Sequence, residues 1–422
     1  MTEYYSPEET RDPAERERAL MAALPAQVAL AQGRPAYAER LAGIDARMVG
    51  SRAALAALPV TRKHELLEQQ KAARAQPGNT DPFGGYSAAG WSAFAAPLRA
   101  RRVFQSPGPI YEPEGETPDY WRVARALHAA GLRTGELVHN SFSYHLTPAG
   151  SMMESGAQAL GCTVFPAGVG NTELQLQAIA DLRPEAYCGT PSFLRILLEK
   201  AAEAGTPLSF TKALVSGEAC PPSLRAYFGT QGIEVSQCYA TADVGLVAYE
   251  TRAREGLVLD ERVIVEIVRP GTGDPVPDGE VGEVVVTVLN AAYPLLRFGT
   301  GDLSAMLPGR CPTGRTARRI RGWMGRADQT TKVRGMFVHP GQVAEIVRRH
   351  AGVQRARLVI AGEMAADTMT LRVEVAEVAE GLAGRLVETL RDVTKLRGEV
   401  ELLAPGALPN DGKVIEDLRR YD

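Results

Sequence analysis

The spacing of apolar positions divides the chain into stretches of three kinds. Up to about residue 75 it is helical. Pro13 to Gln32 is rich in Ala, Glu, Arg and Leu, all good helix formers. Leu55, Leu58 and Pro59-Val60-Thr61 lead into Lys63-His64-Glu65-Leu66-Leu67. Thr61 is the expected N-cap of that second helix, although the acid of a capping box stands one position late. Asp81-Pro82-Phe83-Gly84-Gly85-Tyr86 is a turn cluster. From about Val103 strands and helices alternate: helix at 150–160, buried strand at 162–165, helix at 172–181, strand at 185–188, helix at 192–204, strand at 212–215. Such alternation predicts a parallel sheet with crossover helices. Strands at 263–268 and 283–289 then follow with no helix between them, which is antiparallel or barrel-like texture.

Residues 329–422 read as a separate unit. A strand is predicted at 331–338, and Val343, Ile346 and Val347 stand at helical spacing. A strand follows at 357–360. Leu371, Val373 and Val375 alternate with Arg372 and Glu374, Leu382, Leu386 and Leu390 mark one helix face, and 400–403 is a last strand. The order β-α-β-β-α-β predicts a small ferredoxin-like module. The expected fold class is therefore α/β: a large N-terminal domain of mixed and parallel sheets flanked by helices, with a small C-terminal α+β ferredoxin-like domain joined by a hinge. The boundaries are 1–327, of which 1–100 is mainly helical, and 328–422.

Composition narrows the function. The 422 residues suffice for two or three domains, 45% are hydrophobic, and the net charge of -3 supplies no overall field for nucleic acid. The five cysteines, at 162, 188, 220, 238 and 311, have neither metal-knuckle nor redox spacing, which suits a cytoplasmic protein. No apolar run is long enough to span a bilayer.

Five short segments could carry chemistry. Ser236-Gln237-Cys238-Tyr239-Ala240-Thr241-Ala242-Asp243-Val244-Gly245 reads as a strand and a sharp turn that display a ring, a hydroxyl and a carboxylate. A purine could stack on Tyr239, and Asp243 could hold magnesium near phosphates. Ser216-Gly217-Glu218-Ala219 follows a strand, and Gly217 lets backbone approach a flat base. Thr300-Gly301-Asp302 offers a carboxylate to ribose hydroxyls. Gly325-Arg326-Ala327-Asp328 precedes the small domain, and Pro409-Asn410-Asp411-Gly412-Lys413 ends in a mobile ammonium. Each alone has an ordinary explanation, as a turn, a cap or a surface lysine.

In this order and spacing, the segments resemble the adenylate-forming superfamily of acid–coenzyme A ligases, and most of all its phenylacetate–coenzyme A ligase branch. Leu58-Pro59-Val60-Thr61-Arg62-Lys63 and Asp81-Pro82-Phe83-Gly84 are similar to that branch too. The resemblance implies an enzyme that uses ATP, Mg2+ and coenzyme A. It would convert an aromatic or other hydrophobic carboxylate to an acyl-adenylate and then to a thioester. Ser216, Gly217, Glu218, Ala219, Tyr239, Ala240 and Thr241 would hold the base. Asp302 would hold the ribose, and Arg326 would reach ribose or phosphate. Asp328 would be the hinge and Lys413 the catalytic lysine, and Asp243 would bind magnesium directly or through water. Tyr144 and His145 would begin the acyl pocket, and Gly335 would face the thioester site. The partners implied are small molecules, with neither nucleic acid nor membrane, and a homodimer is compatible with them.

Three departures stand out. The family's phosphate loop is rich in Ser, Thr and Gly and ends in Lys. Here Gln105-Ser106-Pro107-Gly108-Pro109-Ile110-Tyr111-Glu112 keeps Ser106 and Gly108 but carries Glu112 at the lysine position. Either Glu112 turns outward, or triphosphate is held differently, or ATP is poorly used. The residue before the magnesium carboxylate is Ala242, and that carboxylate is Asp rather than Glu. Many relatives hold a structural zinc. Cys311 stands alone where a Cys-x-Cys pair is expected, with Thr251 and Val258 near the other ligand positions, so no zinc is expected. The alternatives are a non-catalytic nucleotide or coenzyme A binder with a degenerate phosphate loop, and a ligase that transfers the acyl group to a carrier-protein thiol.

Overall fold

The computed structural model describes residues 3–79, 81–91, 98–324, 326–327, 331–334, 336–338, 340–362, 367–409 and 413–419. The chain forms two compact units, 1–325 and 326–422.

In the first unit, twelve strands of the described residues make one mixed sheet. One half is parallel, in the spatial order Thr163–Phe165, Leu137–Asn140, Ala186–Gly189, Lys212–Val215, Glu234–Thr241. The helices Ala149–Leu160, Thr172–Leu182 and Pro191–Glu203, which the alternation predicts, and Pro222–Thr230, which it does not mark, connect them in turn. Thr163–Phe165 differs from the expected buried strand. It lies at the sheet's edge, paired on one side only, and is half-exposed, while Cys162 just before it is buried. The other half is antiparallel and continuous with the first. It runs through Gly245–Glu250, Leu257–Leu259, Arg319–Ile320, Phe298–Leu307 and Val281–Val288 to Val263–Val268. The two halves meet at the hairpin of Glu234–Thr241 with Gly245–Glu250. The ends of the parallel strands that carry 140–145, 189–190, 216–219 and 239–243 therefore lie along one edge, where open α/β sheets bind ligands.

The N-terminal helix Pro13–Gln32 is capped by Asp12, whose carboxylate accepts from the N–H groups of Ala14 and Glu15. It buries Leu20, Leu24, Val28 and Ala31 in a cluster shared with Leu55, Leu66, Val265 and Phe298. The second helix is Lys63–Ala75, and its cap is Arg62, not Thr61. Glu65 accepts from the Arg62 N–H at 2.8 Å, so the late acid stands at the right distance from this cap. Thr61 lies in a two-residue strand beside Phe298, and its hydroxyl donates to the Leu296 carbonyl at 3.0 Å.

In the second unit four strands form the sheet Glu399–Leu403, Thr368–Val375, Val353–Ala361, Ile415–Asp417. The helices Pro340–Arg349 and Leu382–Thr394 accompany it, and Leu382, Leu386 and Leu390 are buried as their spacing predicts. The ferredoxin-like order does not form. Residues 331–338 make a hairpin of two strands, Thr331–Val333 and Met336–Val338, and the C-terminal strand Ile415–Asp417 takes the place beside Val353–Ala361. The hairpin turns at Arg334, which has φ +46 and whose N–H donates to Asp367 Oδ2 at 3.0 Å. A left-handed arginine is rare, so the apolar pattern reads as one strand.

Candidate active site

Thr300-Gly301-Asp302 sits in a bulge of the strand Phe298–Leu307. Glu283 pairs with Leu303 and Val285 with Gly299, so three residues face the single Val284 and two of them are extra. Gly301 has φ +73, which suits glycine. The Thr300 hydroxyl donates to the Val284 carbonyl at 2.9 Å and accepts from the Asp302 N–H at 3.1 Å. The bulge aims the Asp302 carboxylate at two neutral donors. Tyr239 Oη donates to Oδ2 at 2.7 Å and Trp323 Nε1 to Oδ1 at 3.1 Å. Tyr239, near the end of the last parallel strand, and Asp302, 63 residues on, are thus joined directly.

Beside Tyr239, Ser216 is buried and donates to the Cys238 carbonyl at 2.8 Å. Gly217 has φ +79 and is exposed. The Glu218 carboxylate accepts from the Ser192 hydroxyl in the first turn of Pro191–Glu203, and Ala219 is half-buried. Ala240 and Thr241 are half-buried, and the Thr241 hydroxyl accepts from the Val244 N–H at 3.2 Å, closing the turn that carries Asp243. Tyr144 is half-buried, and its hydroxyl accepts from Asn140 Nδ2 at 2.7 Å. His145 is exposed, its N–H bonded to the Ser143 hydroxyl.

The segment in place of the phosphate loop is a tight antiparallel hairpin in which Ser106 pairs with Ile110 and Phe104 with Glu112. Its turn, Pro107-Gly108-Pro109, is exposed, and its two prolines have no N–H to offer a phosphate. Gln70 holds the second strand through both the N–H and the carbonyl of Tyr111, at 2.8 and 2.9 Å. Glu112 turns inward and is fully buried, accepting from the Ser106 hydroxyl. Burial, and then the nearby charge of Asp243, push its pKa up to about 8, against the pull of Lys63 and Ser106. Glu112 is therefore neutral near pH 7.

Asp243 is buried, and Lys63 Nζ contacts its Oδ2 at 2.9 Å. Asp243 Oδ1, Glu112 Oε2 and the hydroxyl of Tyr293 have no hydrogen-bond partner among the described residues. Burial, and then the charges of Glu112 and Asp243, hold the Tyr293 hydroxyl well above its usual range. The unpartnered oxygen of Asp243 is the donor chemistry of a hard cation, so Asp243 fits magnesium, whereas Glu112 would first have to lose its proton. No group of three or more acidic, histidine or cysteine side chains suited to a metal occurs among the described residues. The other ligands would be phosphate oxygens and water, as is usual for this ion.

Arg326 opens the second unit and is half-buried; Lys413, exposed, precedes its last strand. Asp328 and Gly335 lie outside the described residues. Cys311 is buried, with the hydroxyls of Thr313 and Thr251 at 3.1 and 3.4 Å. Sequence reasoning gave Lys63 and Trp323 no role. Lys63 had a weak signal, since it ends the Pro-Val-Thr-Arg-Lys segment, and Trp323 had none. No described helix is long and apolar enough to cross a membrane.

The AMP-binding enzyme family matches residues 142–291, the stretch that carries Ser216 to Ala219, Tyr239 and Asp243. A phenylacetate–coenzyme A ligase of Thermus thermophilus is 31% identical over 99% of this chain and 100% of its own. A phenylacetate–coenzyme A ligase of Aromatoleum evansii is 31% identical over 85% of this chain and 82% of its own. Among solved structures, 2-hydroxyisobutyryl-CoA ligase in complex with 2-HIB-AMP and CoA superposes with a TM-score of 0.83. It is 25% identical, over 100% of this chain and 93% of that one. With this identity sustained over almost all of both chains, the protein belongs to the phenylacetate–coenzyme A ligase branch of the adenylate-forming, AMP-binding enzymes.

Proposed function

We propose that the protein is an ATP-dependent acid–coenzyme A ligase that activates an aromatic or other hydrophobic carboxylate. The observation that carries this reading is the hydrogen bond between Tyr239 and Asp302. It unites the base-side ring and the ribose-side carboxylate at the ligand-binding edge of the sheet, one turn from the Asp243–Lys63 pair.

In the first step a substrate carboxylate oxygen attacks the α-phosphorus of ATP, the bond to the β-phosphate breaks, and pyrophosphate leaves. Tyr239 stacks on adenine with Ser216 to Ala219 beside it, and Asp302, aimed by Tyr239 and Trp323, accepts from the ribose hydroxyls. Lys63 supplies the ammonium that the hairpin lacks, and neutral Glu112 adds no repulsion. Asp243 would hold Mg2+, which when bound neutralises phosphate charge. Lys413 meets the charge that builds as carboxylate and α-phosphate join, a contact stronger in the transition state than before it. In the second step the sulfur of coenzyme A attacks the acyl carbon, AMP departs, and the thiol proton passes to solvent. Arg326 reaches ribose or phosphate and Tyr144 and His145 begin the acyl pocket; the roles expected of Asp328, as hinge, and of Gly335, toward the thiol, fall on residues outside those described.

The test is acid-dependent exchange of labelled pyrophosphate into ATP with phenylacetate, 2-hydroxyisobutyrate and aliphatic acids, for the native protein and Lys413→Ala. Exchange that the variant loses is expected. AMP binding without exchange for any acid would refute the ligase reading in favour of a non-catalytic binder.

A further inference from the structure

We propose that Arg357 is a positioning residue for Lys413, and through it for acyl-adenylate formation; this rests on the role given to Lys413 above. Arg357 lies on the strand Val353–Ala361 and is 2% exposed. Its Nε donates to the Lys413 carbonyl at 3.1 Å and its Nη2 to the Pro409 carbonyl at 3.1 Å. These two N–H groups form one edge of the guanidinium. A single rigid plane thus grips one carbonyl on each side of residues 410–412. The remaining nitrogen, Nη1, meets Glu416 Oε2 at 3.3 Å.

The neighbouring groups act on the same backbone. Arg355, two residues earlier, donates to the Leu408 carbonyl at 3.3 Å and to the Pro409 carbonyl at 3.0 Å. Glu374 on the adjacent strand accepts from the Leu408 N–H at 2.6 Å and lies 3.8 Å from Arg355. Beyond Lys413 the Val414 carbonyl accepts from the Leu358 N–H at 2.9 Å, and Ile415–Asp417 joins the sheet in parallel with Leu358 to Ile360. One strand therefore fixes the chain before and after the lysine.

Burying a guanidinium costs desolvation that neutral donors avoid. What the arrangement secures is the base of a long, flexible side chain whose ammonium must arrive in register with two reacting groups. Misplacing such a group by about 1 Å can cost on the order of 100-fold in rate. A lysine at 357 keeps the charge but has no planar fork, so it cannot hold the two carbonyls in one fixed geometry.

The experiment compares wild type, Arg357→Lys and Lys413→Ala in two assays with phenylacetate as the probe. One is pyrophosphate–ATP exchange; the other is thioester formation from synthetic phenylacetyl-adenylate and coenzyme A, which bypasses the step that needs Lys413. For Arg357→Lys the turnover of exchange falls by roughly 10- to 100-fold. KM for ATP and the rate of thioester formation stay within about threefold of wild type. Equal losses in both assays would mean that Arg357 only holds the domain together, and would overturn the proposal. So would wild-type exchange in Arg357→Lys while Lys413→Ala loses it. If Lys413→Ala itself keeps exchange, the role of Lys413 fails, and the proposal with it.

Discussion

Replacing Glu112 by Gln tests the buried acid directly. The folded protein holds a proton on this carboxyl up to about pH 8, whereas an ordinary glutamate releases it near 4.5. Between those values the folded state carries a proton that the unfolded chain has lost. Stability from this group is therefore fully present below about pH 4.5 and is lost as pH rises toward 8, at about 1.4 kcal/mol per pH unit. From pH 5 to 7.5 the wild type forfeits about 3 kcal/mol that a glutamine, which does not titrate, keeps. The side chain is fully buried, so solvent does not screen the effect. Glutamine also preserves an oxygen for the Ser106 hydroxyl. For a unit of 325 residues, 3 kcal/mol corresponds to a shift in Tm of about 4 °C. The three tryptophans, Trp91, Trp121 and Trp323, all lie in the first unit, so their fluorescence follows that unit alone. Melting both proteins with EDTA present, at steps from pH 5 to 7.5, should show the variant gaining on wild type by about 4 °C. A difference independent of pH would mean that Glu112 is ionised in the folded state, and the account of a neutral phosphate corner would be wrong.

Other substitutions follow from the same geometry. Lys63→Ala should cut pyrophosphate–ATP exchange by roughly 10- to 100-fold through loss of the ammonium at Asp243, while Lys63→Arg retains most of it; equal activity in Lys63→Ala and wild type would remove Lys63 from the site. Tyr239→Phe keeps the ring but takes one donor from Asp302, so KM for ATP should rise about 2- to 10-fold, and a loss as large as that of Asp302→Ala would argue against a stacking role. Arg297→Met should destabilise the first unit in urea by about 3–5 kcal/mol, because Arg297 is 2% exposed and its guanidinium binds Glu266 and the carbonyls of Ala56, Leu58 and Gly273; a cost under about 1 kcal/mol would contradict this.

Local patterns were legible where local physics decides. The alternation from residue 150 to 215 was readable because each strand is a short apolar run between turn residues and each helix has an apolar face. Gly301 marked Thr300-Gly301-Asp302 as a tight turn, and the chain does turn there, in a bulge with Gly301 at φ +73. What sequence could not show depends on distant contacts. Lys63 meets Asp243 across 180 residues, and nothing around either residue names the other. The single strand read at 331–338 failed because an arginine turns left-handed there, supported by Asp367 rather than by its own neighbours. The cap at Thr61 failed because its hydroxyl is taken by Leu296, 235 residues away.

The hairpin at Ser106–Ile110 shows how such contacts change the meaning of a motif. Beside the phosphate loop that the family resemblance implies, Glu112 reads as a negative charge in the place of a lysine. In the fold it is one of three ionisable groups at one corner, with Asp243 and Lys63. If all three were charged the corner would carry a net negative charge. One more negative charge about 4 Å from a phosphate costs on the order of 4 kcal/mol at the partly screened edge of a protein. Protonation of Glu112 makes the sum zero. That protonation comes from burial under the strand that the hairpin holds in place, with Ser106 above and Gln70 pinning Tyr111. The prolines that remove phosphate donors from the turn therefore belong to a wall rather than a cradle. Lys63, in the first turn of the helix Lys63–Ala75, brings an ammonium to Asp243, and on the proposed reading it stands in for the lysine that the hairpin lacks.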